Sequence, residues 1–290
     1  MHYEGTVIRP PSEADSIILQ VTAGCPHNGC TFCGTYKDKL YRIKDQELID
    51  EDLDFVARHC HRQNTMFLAD GDVLSLSWRR LLRLFGKIRE KAGWIRRIRL
   101  YARASSILDK SLDELRELKN LGLDRIYMDL ESGSDLVLEN VRKGSDSEEM
   151  IQAGRKARDA GLFLSATVLL GLGGTALSRE HAVQTGTVLS RMEPNQIAVL
   201  TLMLLPNTEL YLFEKEGKFV VPSQRELLSE LHLLIENTRV HKNCQFQANH
   251  SSNYLPVNGR LPRDREKILT SIRKGLAGQG KLREEKARSL

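Results

Sequence analysis

Three of the five cysteines, Cys25, Cys30 and Cys33, fall within nine residues in the run CPHNGCTFC. Thiolates at C-x4-C-x2-C spacing on one irregular loop can converge on an inorganic centre, and the sequence leaves several centres open. A zinc ion would take the three thiolates plus His27 or a distant residue. A plant-type ferredoxin centre would need a fourth thiolate, for which Cys60 is available in the helical run DEDLDFVARHCHRQ. Structural thiols with no metal are a third reading. The fourth is a [4Fe–4S] cube held at three corners, with one iron open to a ligand from outside the protein. No secretory signal is legible at the N-terminus, so a cytoplasmic location is expected. In that reducing compartment clustered thiols bind metal or do chemistry more often than they pair.

Such a loop needs strands to hold it. Short runs apolar on both faces recur at residues 16–22, 65–69, 98–102, 125–130, 163–171 and 197–204, the pattern of parallel strands covered on each side. Amphipathic stretches separate them. Ser111 with Glu114, Ser145 with Glu148, and Ser223 with Glu226 have capping-box spacing. Gly93, Gly122 and Gly161 stand where helices close before a strand. Six strand–helix units predict an α/β fold, a partial (β/α)6 barrel of residues 1–205, with a C-terminal loop–helix extension of residues 206–290. A doubly wound open sheet is the alternative. In both, sites lie beyond the C-terminal ends of the strands, and every unusual motif here follows a strand.

The motifs are DGD at Asp70, Gly71 and Asp72, then Arg103, then LESGSD with Glu131 and Ser132, then LLGLGG with Gly171, Gly173 and Gly174. Gly71 permits close backbone approach. Arg103 offers a fork for a carboxylate, or a structural partner for Glu131. A carboxylate beside a hydroxyl, as in Glu131–Ser132, suits a diol. Each also has a bland reading as an ordinary strand-end turn. The GLGG run lacks the phosphate-loop forms.

Together CPHNGCTFC, LADGD, LESGSD and LLGLGG, in this order at successive strand ends, resemble the radical S-adenosylmethionine (SAM) superfamily. The similarity is greatest to the branch holding oxygen-independent coproporphyrinogen oxidase and the methylthiotransferases, which includes elongator-type proteins. The resemblance implies a [4Fe–4S] cluster on Cys25, Cys30 and Cys33, SAM as second cofactor, and its reductive cleavage to a radical that abstracts hydrogen from a small-molecule substrate. It implies further that the DGD triplet holds the SAM ammonium, Arg103 the carboxylate, and Glu131 and Ser132 the ribose. Phe32 and the Gly171–Gly173 stretch would lie against adenine. A reductase such as flavodoxin or ferredoxin would supply the electron. Two departures stand out: the family spacing is C-x3-C-x2-C, and its Gly-Gly-Glu is replaced by DGD.

The run QANHSSNYLPVNGRLPRD, residues 247–264, breaks the strand–helix rhythm and reads as a polar, rigid loop. With Tyr36, its His250, Asn253 and Tyr254 are candidates to touch substrate. The tail KLREEKARSL mixes signs and reads as a frayed terminus. No apolar run is long enough to span a bilayer, so no membrane partner is expected. A net charge of +5 fits a solvated surface better than nucleic-acid binding. Tetrapyrrole oxidation, RNA modification, and a non-catalytic electron-transfer role remain alternatives.

Overall fold

In the computed structural model, which describes residues 1–289, the strands fall close to the positions expected. Strand β1 (Ile17–Gln20) runs into the short β2 (Thr22–Ala23), which pairs antiparallel with β3 (Arg42–Ile43). That ribbon closes the stem of the cysteine loop. The chain continues through α1 (Gln46–His59), β4 (Thr65–Ala69), α2 (Trp78–Lys91), β5 (Arg97–Tyr101), α3 (Ala104–Leu108), α4 (Leu112–Asn120) and β6 (Leu123–Glu131). Then follow α5 (Asp135–Asn140), α6 (Ser147–Asp159), β7 (Phe163–Leu170), α7 (Gly174–Met192) and β8 (Gln196–Thr201). The remainder is α8 (Glu209–Lys215), α9 (Gln224–Asn237), β9 (Cys244–Ala248), β10 (Val257–Leu261) and α10 (Arg265–Leu276).

The main sheet has eight strands in the order β1-β4-β5-β6-β7-β8-β9-β10. Its first six strands follow one another without reversal. A doubly wound sheet reverses direction at a switch point, so the order is that of a singly wound, partial α/β barrel. The C-terminal segment corrects one expectation: residues 247–264 are not a loop throughout. Strand β9 adds to β8 in parallel, and β10 returns antiparallel on β9. The signal was a period of two, with Cys244, Phe246 and Ala248 buried between less buried Gln245 and Gln247. Because β9 parallels β8, the turn after it lies at the same end of the sheet as the β8 exit.

Helix starts were legible in part. Ser111 with Glu114 and Ser223 with Glu226 both form reciprocal capping boxes. At α6 the box is displaced by one residue. Asp146 accepts from the Glu149 amide at 2.8 Å, and Glu149 accepts from the Asp146 amide at 3.2 Å, while Ser145 turns to the Gly144 carbonyl. Gly122 and Gly161 adopt the left-handed closing conformation, with φ of 102° and 78°; Gly93 does not.

The chain forms two compact units. One comprises Met1–Asn28, Thr35–Met128 and Lys156–Leu164; the other comprises Gly29–Gly34, Asp129–Arg155 and Ser165–Leu290. In the first, Leu19, Leu68, Leu100 and Ile126 are fully buried. On the alternate face Phe67, Tyr101 and Tyr127 pack edge to face. The N-terminal arm lies on that second face: Val7 packs on Phe67, Ala69 and Tyr127, and the buried Glu13 takes the Arg99 guanidinium at 2.7 Å. In the second unit α7 and α9 approach so closely that a Cβ on Gly186 would come within 2.8 Å of the Leu234 carbonyl oxygen.

Candidate functional site

Each unit carries part of the predicted site. In the first, Gly71 lies against the start of the cysteine loop: a Cβ there would stand 3.1 Å from the Gly24 oxygen and 3.3 Å from Cys25 Cβ. Only glycine brings the DGD turn this close to the first thiol. In the second, the loop carrying Cys30 and Cys33 is clamped by backbone bonds. The Thr31 amide donates to the Val141 carbonyl at 3.0 Å, and the Leu210 amide donates to the Thr31 carbonyl at 2.9 Å. Phe32 packs with Val141, Leu172, Leu202 and Leu210.

Cys25, Cys30 and Cys33 are partly buried thiols, none of them in a disulfide. Among the described residues no three His, Cys, Asp or Glu side chains gather closely enough to hold one metal ion. A cubane asks for a wider triangle, because each thiolate takes a separate iron.

The two aspartates of DGD differ sharply. Asp70 is fully buried and satisfied: Tyr36 donates to Oδ1 at 2.8 Å, and Gln20 donates to Oδ2 at 3.3 Å. Tyr36 is thus a core residue that holds Asp70, with its hydroxyl already committed. Asp72 is equally buried, and Ser106 donates to its Oδ2 at 2.6 Å, but Oδ1 has no partner. Burial pushes this carboxyl up to about 6, against the Ser106 hydrogen bond and the nearby Arg103 charge. A buried acceptor left open costs free energy unless something fills it. Asp72 therefore differs from Asp70 in keeping one carboxylate oxygen open.

At the end of β6, Glu131 has φ of 63°, in the left-handed region, a strained setting for a residue with a side chain. Its carboxylate lies 3.4 Å from Lys143 Nζ. Burial raises the Glu131 pKa and Lys143 opposes this. Burial works against the Lys143 charge, but Glu131, Asp129 and the Cys30 thiol outweigh it, so Lys143 stays cationic. The sequence reading passed over Lys143, one of many lysines in charged turns; its burial beside Cys30 is visible only in three dimensions. Glu131 thus takes Lys143 as its ion-pair partner, which leaves Arg103 to face Asp72.

Ser132 is fully buried. Its Oγ lies 2.8 Å from His181 Nδ1 and accepts from the Ser134 amide at 3.0 Å. The glycines after β7 meet protein: a Cβ on Gly171 would reach Leu227 at 2.9 Å, and one on Gly173 would reach Leu177 at 3.1 Å. Beside Gly173 lies a pocket of about 330 Å³, lined by Val137, Val141, Leu172, Leu210 and Phe219 among others.

The C-terminal candidates are engaged with the chain itself. Asn253 is buried, accepting from Thr201 Oγ1 at 2.7 Å and donating to the Val199 carbonyl at 2.7 Å. His250 Nδ1 sits 2.9 Å from Ser252 Oγ. Tyr254 bonds to Glu285 and Arg288. The tail is not frayed. Arg283 Nη1 donates to the carbonyls of His250, Ser251 and Asn253, and Arg288 donates to those of Ser252 and Leu202. Two guanidiniums satisfying five carbonyls overcame the mixed-charge pattern that suggested disorder.

A parallel α/β sheet wound in chain order, with a thiol triad after its first strand and acidic turns after the next, defines a partial α/β barrel protein. The model of the Radical SAM superfamily matches residues 19–185, more than half of the chain. The chain belongs to that superfamily; it is an enzyme, with a [4Fe–4S] cluster and SAM as cofactors. It is 23% identical over 185 residues to the heme chaperone HemW of Bacillus subtilis, covering 63% of this chain and 48% of the relative. To a putative methylthiotransferase of Methanocaldococcus jannaschii it is 22% identical over 228 residues, covering 75% and 47%. The chain thus spans about half the length of the curated relatives it matches. The structure of coproporphyrinogen III oxidase (HemN) from Escherichia coli superposes with a TM-score of 0.56 at 19% identity, over 76% of this chain and 51% of that one. No helix among the described residues is long and apolar enough to cross a membrane.

Proposed function

We propose that Cys25, Cys30 and Cys33 hold the cluster and that the chain cleaves SAM reductively to start a hydrogen abstraction from a small-molecule substrate. Division into a core of residues 1–205 and an extension of residues 206–290 belongs to this reading, as do a cytoplasmic location and an electron from a flavodoxin- or ferredoxin-like donor. When bound, the cluster and SAM supply the radical: one electron breaks the sulfonium C–S bond and leaves methionine and a 5′-deoxyadenosyl radical.

The chain's own residues bind and orient. Asp72 Oδ1, buried and without a partner, is the observation that carries the reading, because an ammonium is the donor such an atom lacks. Gly71 brings that turn onto Cys25. Arg103 and Lys143 are the cations suited to the methionine carboxylate, and Glu131 suits the ribose hydroxyls. Ser132, with its hydroxyl already shared between His181 and the Ser134 amide, supports the strand end. The apolar pocket beside Gly173 suits a flat base.

The test is anaerobic reconstitution with iron and sulfide, then reduction in the presence of SAM. The reading expects close to four irons per chain, a change in the reduced cluster's paramagnetic resonance on adding SAM, and release of 5′-deoxyadenosine. Zinc in place of iron, or a cluster indifferent to SAM, would refute it.

A further inference from the structure

Glu230 lies on α9, outside the stretch matched by the family model, yet its carboxylate reaches the family motifs. It is 1% exposed. Oε1 accepts from the Gly171 amide at 2.6 Å, and Oε2 accepts from Ser178 Oγ at 2.5 Å. Oε1 also lies 3.4 Å from Nε2 of the fully buried His181, a contact without hydrogen-bond alignment. On its other side His181 Nδ1 meets Ser132 Oγ at 2.8 Å, and Thr185 on the same helix accepts from the Gly133 amide at 2.8 Å. One buried carboxylate thus touches the loop after β7 and, through one imidazole, the turn after β6. A buried carboxylate is expensive, and an apolar side chain of similar volume would serve packing as well or better. Burial raises Glu230 to about 7 and lowers His181 to about 4, so the imidazole is neutral and can accept at one nitrogen while donating at the other.

We infer that Glu230 is a positioning residue for the SAM pocket, holding the Gly171 loop directly and Ser132 through His181. This rests on the proposed function, which places SAM at those two strand ends. The loosely aligned Glu230–His181 contact is the part free to tighten on binding, as polar contacts in unliganded sites commonly do. Glu230 adds nothing to the chemical step. Its loss therefore weakens SAM binding and loosens the loop, with turnover at saturation kept.

The experiment compares the reconstituted full chain with Glu230→Leu and Glu230→Gln. The readouts are labelled-SAM equilibrium dialysis, 5′-deoxyadenosine formation at saturating SAM, and amide exchange of residues 171–177 without SAM. Glu230→Leu is expected to bind SAM about tenfold more weakly, the worth of one lost charge-assisted hydrogen bond, and to exchange that segment about tenfold faster. The rate at saturation should stay within about twofold. Glu230→Gln, which keeps an acceptor for Gly171, should recover most of the affinity. Folded Glu230→Leu with unchanged SAM affinity overturns the inference. Should Glu230→Leu fail to fold, His181→Gln carries the decision, since unchanged SAM affinity there overturns the link to Ser132. Wild-type protein that binds no SAM would instead refute the proposed function beneath it, and the inference with it.

Discussion

The turn after β4 and the end of β6 both carry buried carboxylates, yet they are prepared in opposite ways. Asp72 has an open acceptor oxygen, with the Arg103 charge nearby but not bonded to that oxygen. Glu131 already faces Lys143 at 3.4 Å. The first site is incomplete without a ligand, whereas the second is balanced and has to share its partner. Under the proposed function the contrast has a chemical meaning: Asp72 is suited to a fixed positive charge, and Glu131 to neutral hydroxyls.

The largest effect should come from removing what both turns serve. Serine at Cys25, Cys30 or Cys33 is expected to abolish the cluster's visible absorption and 5′-deoxyadenosine formation together. A variant that keeps both would remove that thiol from the ligand set.

Lys143→Met should destabilise the protein by about 3–5 kcal/mol at pH 8, because it strands a buried carboxylate. The loss should shrink at pH 5, below the raised Glu131 pKa of about 7, where the carboxyl is already protonated, and melting curves at the two values measure it. A pH-independent loss would mean that the pair is not balanced as described.

Asp72→Asn should weaken SAM binding about 10- to 100-fold without lowering stability. Its carboxyl is raised from 3.8 to about 6, so between those values the folded chain holds a proton that the unfolded chain has released. Stability of the unloaded protein should therefore fall as pH rises through that window, by up to about 3 kcal/mol, and Asp72→Asn should flatten the slope. An unchanged slope would deny the unpartnered state of Asp72.

Tyr36→Phe should cost about 1–3 kcal/mol by leaving Asp70 Oδ1 without its donor, with SAM affinity within about twofold of wild type. Loss of affinity instead would transfer the ligand role from Asp72 to Asp70.

Much of this was legible because the relevant signals are local. Parallel strands covered on both faces read as continuous apolar runs, and all six were placed within two residues or so at most ends. The cysteine spacing and the motif order gave the family. What escaped was decided by contacts distant in sequence. Asp70 and Asp72 are the same residue type two positions apart, and only Tyr36, Gln20 and Ser106 tell them apart. Glu230 and Lys143 look like surface charges until burial is known. The β9–β10 hairpin was missed because glutamines and asparagines masked an alternation that was present.

The binding of five backbone carbonyls by Arg283 and Arg288 has a practical corollary. A carboxypeptidase would remove Arg288 and its two bonds first, then Arg283 and its three, and release the turn beside the β8 exit. Preparations clipped at that end would lack five backbone hydrogen bonds of the intact chain, so intact mass should be checked before activities are compared.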